Sequence, residues 1–212
     1  GAFPAGSGYR FSVWAPNAEA VYLTGTFNDW DSESLPLVRA ENGIWTLEVP
    51  GAQPGAEYRY RILTGGREFM RIDPFARQVT HSSGNAVLLG PYEVAAVKDG
   101  FLPPVFNEAV VYELHIGTFG LQRETENPST LEGAVKRLPY LKDLGINVIE
   151  IMPLGEFPGG FSWGYNPSFI FSIESEYGTP YDFRRFVTEA HKLGIAVIID
   201  VVYNHLGPAE LN

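Results

Sequence analysis

The sequence predicts two folds in series: an all-β sandwich of immunoglobulin-like type, then an α/β unit built on parallel strands. Two observations carry this. Short β-rich segments separated by turn-formers fill the first 92 residues or so. After about residue 109 the pattern becomes strand, helix, strand, helix, strand, which implies a parallel sheet with right-handed crossovers. Between the two, Glu93–Glu108 contains Asp99-Gly100 and Pro103-Pro104 and reads as a linker. The expected division is therefore a β-module over 1–92, a linker over 93–108 and an α/β part over 109–212.

In the β-module the predicted strands are Tyr9–Trp14, Ala20–Gly25, Gly43–Val49, Glu57–Leu63 and Asn85–Leu89. Asn17, Asn28-Asp29, Glu41-Asn42-Gly43, Pro50-Gly51 and Gly65-Gly66 supply the turns. In the second part, Val110–Ile116 is apolar and β-rich. Ser129-Thr130-Leu131-Glu132 has capping-box spacing. From there Leu131, Ala134, Val135, Leu138, Leu141 and Leu144 recur at helical intervals, with Pro139 predicting a kink or a late helix start and Gly145 the stop. Ile146–Met152 is the second strand. A long loop leads to Thr179-Pro180, a cap followed by a first-turn proline. Phe183, Phe186, Val187, Ala190 and Leu193 give that helix its apolar face, Gly194 ends it, and Ile195–Val202 reads as a buried parallel strand.

Composition narrows the function classes. With 45% hydrophobic and 19% charged residues, the chain suits a folded globular protein rather than a disordered one. A net charge of −10 argues against a nucleic-acid surface, which needs clustered Lys and Arg. No cysteine is present, so disulfides are excluded. No apolar run approaches the ~20 residues of a membrane span. Gly1-Ala2-Phe3-Pro4 lacks the basic and apolar regions of a signal peptide. A cytoplasmic location is the expectation, with secretion left open.

Polar residues with a titratable histidine, Asp200-Val201-Val202-Tyr203-Asn204-His205, follow the last apolar run, where a barrel strand presents an active-site edge. Three strands make neither a closed barrel nor a comfortable open sheet. The second part reads as the first three βα units of an incomplete TIM (β/α)₈ barrel. The apolar faces of these strands and helices call for a complementing surface or self-association.

Over roughly Val110–Pro208 the chain is similar to glycoside hydrolase family 13, the α-amylase family. The carriers are Val111-Tyr112-Glu113-Leu114-His115, the run Gly145–Pro153, Trp163-Gly164-Tyr165, Tyr177-Gly178-Thr179-Pro180 with Asp182-Phe183, and Asp200–His205. The resemblance implies that His205 hydrogen-bonds the sugar at the bond-breaking subsite, that Tyr165 stacks on that sugar, and that Asp200 organises the site. It places Asn204 where many members, not all, bind a structural calcium; no other cofactor is implied. A tyrosine face and a neutral imidazole suit these tasks physically. His115, His191, Glu113 and Glu150 read as structural polar groups and Trp163 as loop packing.

The first part resembles carbohydrate-binding module family 48, on Phe11–Ala18 and Val21–Trp30, across about Gly8–Leu89. The resemblance makes Trp30 the first aromatic platform of a surface glucan site and Asn85 its amide. Arg59 stands where Lys is usual and Phe69 where a second Trp is usual. Trp14 and Trp45 read as core or module-interface residues.

Retaining glycosidases need a carboxylate nucleophile and a carboxylic acid ~5–5.5 Å apart. No residue matches either in the family pattern, so the chain alone is expected to be inactive. The implied parent is an α-1,4-glucan enzyme acting on starch, glycogen or maltooligosaccharides, nearest to 1,4-α-glucan branching enzymes and trehalohydrolases. The alternative is a non-catalytic α-glucan-binding protein.

Overall fold

The computed structural model describes residues 1–91, 99–120 and 128–207. Two compact units divide the chain at residues 94–95.

The first unit is a sandwich of two antiparallel sheets. Its strands are β1 (Ala2–Ala5), β2 (Gly8–Trp14), β3 (Ala20–Gly25), β4 (Val38–Arg39), β5 (Ile44–Pro50), β6 (Glu57–Thr64), β7 (Arg67–Arg71) and β8 (Ala86–Val87). One sheet has the order β1-β2-β5-β4; the other runs β3-β6-β7, with β8 also paired to β6. Period-2 alternation sets the core. Tyr9, Phe11 and Val13 of β2 and Tyr58 and Tyr60 of β6 are buried, whereas Arg10 and Trp14 are exposed. Phe11 meets Tyr58 edge-on at 5.0 Å and 78°, joining the two sheets. The Tyr58 hydroxyl donates to buried Asp73 at 2.7 Å, which satisfies a carboxylate inside the sandwich. Trp45 lies in the core and donates to the Ala15 carbonyl, but Trp14 is 67% exposed and is not a core residue. It stands on the outward parity of β2, which the sequence reading did not resolve.

The second unit holds a parallel sheet of β9 (Val111–Leu114), β10 (Val148–Ile151) and, after two intervening strands, β13 (Ala196–Ile199). The order is β13-β10-β9, so β10 is central. An unforeseen antiparallel hairpin, β11 (Gly155–Glu156) with β12 (Phe169–Ile173), lies inside the predicted long loop. The helices are α1 (Ile116–Phe119), α2 (Leu131–Val135), α3 (Leu138–Asp143) and α4 (Pro180–Lys192). Leu114, Ile149 and Ile151 on one face of the sheet join Leu131, Leu138, Leu141, Phe186 and Ala190 in the core. Three parallel strands and the helices that connect them, the start of a parallel barrel, are thus present among the described residues, in the strand-helix-strand-helix-strand order that the sequence pattern predicts.

Several boundaries differ from the sequence reading. The helix expected over 131–144 is two helices, with Pro139 in the first turn of α3 because its ring cannot sit in a helix interior. The cap of α2 is Thr130, whose hydroxyl accepts from Gly133 N–H at 3.1 Å, not Ser129. Ser129 instead donates its backbone N–H to the Gly117 carbonyl. Among the described residues the third strand pairs on one side only, Ile198 and Ile199 are exposed, and regular pairing ends before Asp200. Of the expected linker, residues 93–98 lie outside the described residues. Its later part docks onto α4, where Phe101 stacks on His191 at 4.0 Å and Asp99 bonds the same ring at 2.7 Å.

The cap of α4 is complete and reciprocal. Thr179 Oγ1 accepts from Asp182 N–H at 3.3 Å, and Asp182 Oδ2 accepts from Thr179 N–H at 2.9 Å. Thr179→Ala is therefore expected to lower stability by about 1 kcal/mol, read as a lower denaturant midpoint; an unchanged midpoint would show that the cap contributes nothing.

Candidate functional site

The candidate site forms where the parallel strands end. Side chains in register on parallel strands point the same way, so Glu113 of β9, Glu150 of β10 and Ile198 of β13 share the face opposite the helices. Asp200, two residues beyond Ile198, is tied into line by its N–H to the Ile151 carbonyl at 2.9 Å.

Tyr165 reaches this strand end from the loop between β11 and β12. Its hydroxyl donates to Asp200 Oδ2 at 2.7 Å. That bond, followed by burial and the negative charge of Asp200, Glu113 and Glu150, pushes the phenol up to about 12. Tyr165 keeps its proton at neutral pH and remains 41% exposed, leaving ring surface for a ligand.

His205 is the third member. Its Nε2 lies 2.7 Å from the Tyr165 carbonyl oxygen, and its Nδ1 lies 2.7 Å from Asn204 Nδ2. A carbonyl can only accept, so Nε2 carries the proton and Nδ1 accepts from the Asn204 amide. The neutral tautomer is fixed on both sides. Asn204 thus orients His205. Among the described residues no group of three or more His, Cys, Asp or Glu could hold a metal ion.

The loop is shaped for this placement. Gly164 has φ +89°, and a Cβ there would lie 2.2 Å from the Pro153 carbonyl oxygen, so only glycine fits between Trp163 and Tyr165. Ser162 Oγ accepts from Gly164 N–H at 3.0 Å. A cleft of about 150 Å³ is lined by Pro153, Gly164, Ile199, Asp200 and Tyr203. A second, of about 310 Å³, is rimmed by exposed Phe161 and Trp163 over His115 and Tyr177. Trp163 is 72% exposed, so it does not pack the loop as the sequence suggested. His115 does have a structural role: its ring contacts the Ser162 carbonyl at 2.8 Å and Thr118 Oγ1 at 3.1 Å.

The structure therefore brings Tyr165, Asp200, His205 and Asn204 together. It does not do the same for all four surface-site residues of the first unit. Arg59 lies on the outward face of β6, with its guanidinium donating to the Gly84 and Ser83 carbonyls at 3.0 Å each. Asn85 is nearby and donates to Glu57 at 2.6 Å. Phe69, however, pairs with Ile62, so it sits on the opposite sheet face, beneath the Arg71 guanidinium at 4.8 Å. The expectation that Phe69 joins Arg59 is corrected by this parity. Trp30 is 39% exposed with φ +60° and follows Asp29 at φ +52°. Two consecutive left-handed non-glycine residues are a strained turn, braced by Asn28 Oδ1 accepting from Gly25 N–H at 2.9 Å.

Residues 97–210, more than half of the chain, match the alpha amylase catalytic domain, and residues 1–76 match carbohydrate-binding module 48 (isoamylase N-terminal domain). The chain belongs to the alpha-amylase family. It is 37% identical over 211 residues to the 1,4-alpha-glucan branching enzyme GlgB of Halothermothrix orenii, covering 94% of this chain and 33% of that protein. It is 38% identical over 211 residues to GlgB 2 of Xanthomonas oryzae pv. oryzae, covering 93% and 28% respectively. A solved putative alpha amylase from Salmonella typhimurium shares its fold at a TM-score of 0.85 and 34% identity, over 100% of this chain and 34% of that one. A pullulanase from Anoxybacillus sp. LM18-11, solved with maltotetraose, aligns at a TM-score of 0.83 and 26% identity, over 97% and 35%. The chain spans about a third of the length of the curated relatives it matches.

Replacing Asp200 with Asn removes both the acceptor charge and its repulsion of a phenolate. The Tyr165 phenol is then expected to ionise at lower pH than its present value of about 12. The ultraviolet phenolate titration, taken as a difference against Tyr165→Phe, checks this; an unmoved curve would mean that Asp200 does not hold the phenol. Gly164→Ala is expected to cost more than about 1 kcal/mol through its positive φ, measured by denaturant unfolding.

Proposed function

We propose that this chain forms the sugar-holding wall of an α-glucan-active enzyme, with Tyr165 as stacking face, His205 as hydrogen-bonding imidazole and Asp200 as the residue that positions Tyr165. The carrying observation is the closed set of contacts from Asp200 to the Tyr165 hydroxyl and from the Tyr165 carbonyl to His205. A flat aromatic face beside a tautomer-fixed imidazole suits a neutral sugar, which offers apolar C–H faces and hydroxyls. The overall charge of −10 disfavours a polyanionic ligand.

The whole protein is a retaining glycosidase or glucan branching enzyme acting on starch, glycogen or maltooligosaccharides, its nucleophile and acid/base lying outside these 212 residues. The branching-enzyme names of the curated relatives and the maltotetraose-bound pullulanase support this reading. The first unit contributes a surface contact through Trp30, whose strained, braced turn holds an aromatic ring in solvent.

Isothermal titration of the chain with maltoheptaose should give measurable heat at millimolar sugar. Tyr165→Ala should weaken that binding by about tenfold or more, on the scale of one lost stacking contact. Trp30→Ala should remove a separate, weaker component. Absence of heat from the unmodified chain would sink the wall reading. Heat lost only with Trp30→Ala would leave a non-catalytic binding module.

A further inference from the structure

Glu156 and Glu174 are each 1% exposed, at the root of the hairpin whose loop, residues 157–168, carries Trp163 and Tyr165. Each carboxyl reaches across to the backbone beside the other. Glu156 Oε2 accepts from Ser175 N–H at 2.8 Å, and Glu174 Oε2 accepts from Phe157 N–H at 3.0 Å. Backbone bonds from Ser168 N–H to the Glu156 carbonyl at 2.7 Å and from Glu174 N–H to the Leu154 carbonyl at 2.8 Å complete the brace. Among the described residues neither carboxyl has an ion pair with Lys, Arg or His. The titratable groups around the pair are coupled through charge: Glu156 and Glu176 raise Glu174, Glu176 raises Glu156, and Glu174 in turn raises the buried Tyr177 phenol. All of these are acidic. Two buried anions without a cation are unfavourable, so the closed brace needs at least one protonated carboxyl.

We propose that Glu156 and Glu174 are positioning residues, a proton-retaining carboxyl clamp that holds the root of the Tyr165 loop closed and loosens it when both groups ionise. The step is loss of the carboxylic O–H proton to solvent. Burial raises Glu156 to about 7; burial and the charge of Glu156 raise Glu174 to about 8. In an opened hairpin both would ionise near the ordinary value of 4.5. Between that value and about 8 the open form binds fewer protons than the closed one, so closure weakens as pH rises and levels off above the raised values. The clamp is independent of whether the site takes a sugar.

Amide hydrogen exchange of the full chain tests it, with protection factors corrected for intrinsic exchange. Protection over 157–168 and at Ser175 should fall by roughly tenfold or more between about pH 5 and about pH 8. The double variant Glu156→Gln with Glu174→Gln, which keeps the acceptors but cannot ionise, should hold its protection flat. A flat wild-type profile, or a double variant that falls like wild type, overturns the proposal. Should the double variant not fold, carbon-13 titration of the wild-type carboxyls decides: at least one titrating above about pH 6 supports the clamp, and both titrating near ordinary carboxylate values overturn it.

Discussion

The second unit depends on one constraint, the parallel register of β9 and β13 on the central strand β10. Val111, Val148 and Ala196 start level, so Glu113, Glu150 and Ile198 come level too. The pairing carries on past the regular strands: Met152 N–H reaches the Leu114 carbonyl at 2.9 Å and Asp200 N–H reaches Ile151 at the same distance. Strand ends separated by 35 to 50 residues in sequence are thereby held to one edge. A slip of one residue would turn Leu114, Ile149 and Ile151 away from the helices and carry Asp200 to the wrong face. Burial of those three side chains against α2, α3 and α4 therefore fixes the site geometry as well as the core.

Much of this was legible because strong local signals and global packing agree. Thr179-Pro180 could be read as a cap and first turn and is one; the apolar runs 146–152 and 195–199 could be read as strands and contain β10 and β13. Legibility failed where parity or tertiary context decides. Phe69 and Arg59 look like companions in sequence, but opposite parity in paired strands sends them to opposite faces. Trp14 carries an apolar ring and still points to solvent. The β11–β12 hairpin was hidden because β11 has only two residues and their pairing includes a register shift. Glu156 and Glu174 gave no sign of burial, since acidic residues are ordinarily exposed.

Carboxylates of the second unit fall into two environments with opposite consequences. Asp200 is reached by a phenol and leaves Tyr165 protonated far above neutrality, with Glu113 and Glu150 adding to the negative field on the same face. Glu156 and Glu174 lie inside, where backbone N–H groups favour the charged form but burial outweighs them. The first set works as fixed charge and acceptor at the strand ends. The second brings protonation chemistry to a loop root. Both act on Tyr165, one from its hydroxyl and one from the hairpin that carries it.

Tyr165 thus ties its loop twice to the segment that follows β13. Its hydroxyl answers to Asp200 and its carbonyl to His205, so side chain and backbone of a single residue hold two partners. Loss of the ring alone would leave the His205 anchor in place, because a carbonyl acceptor survives any side-chain change. A shift of the backbone would disturb both contacts at once, and Gly164, wedged against the Pro153 carbonyl, is the point where such a shift is resisted. The stability of the site therefore lies less in the exposed aromatic ring than in the path of the chain beneath it. That path is set by a glycine only a left-handed turn requires and by a hairpin root closed with buried acids.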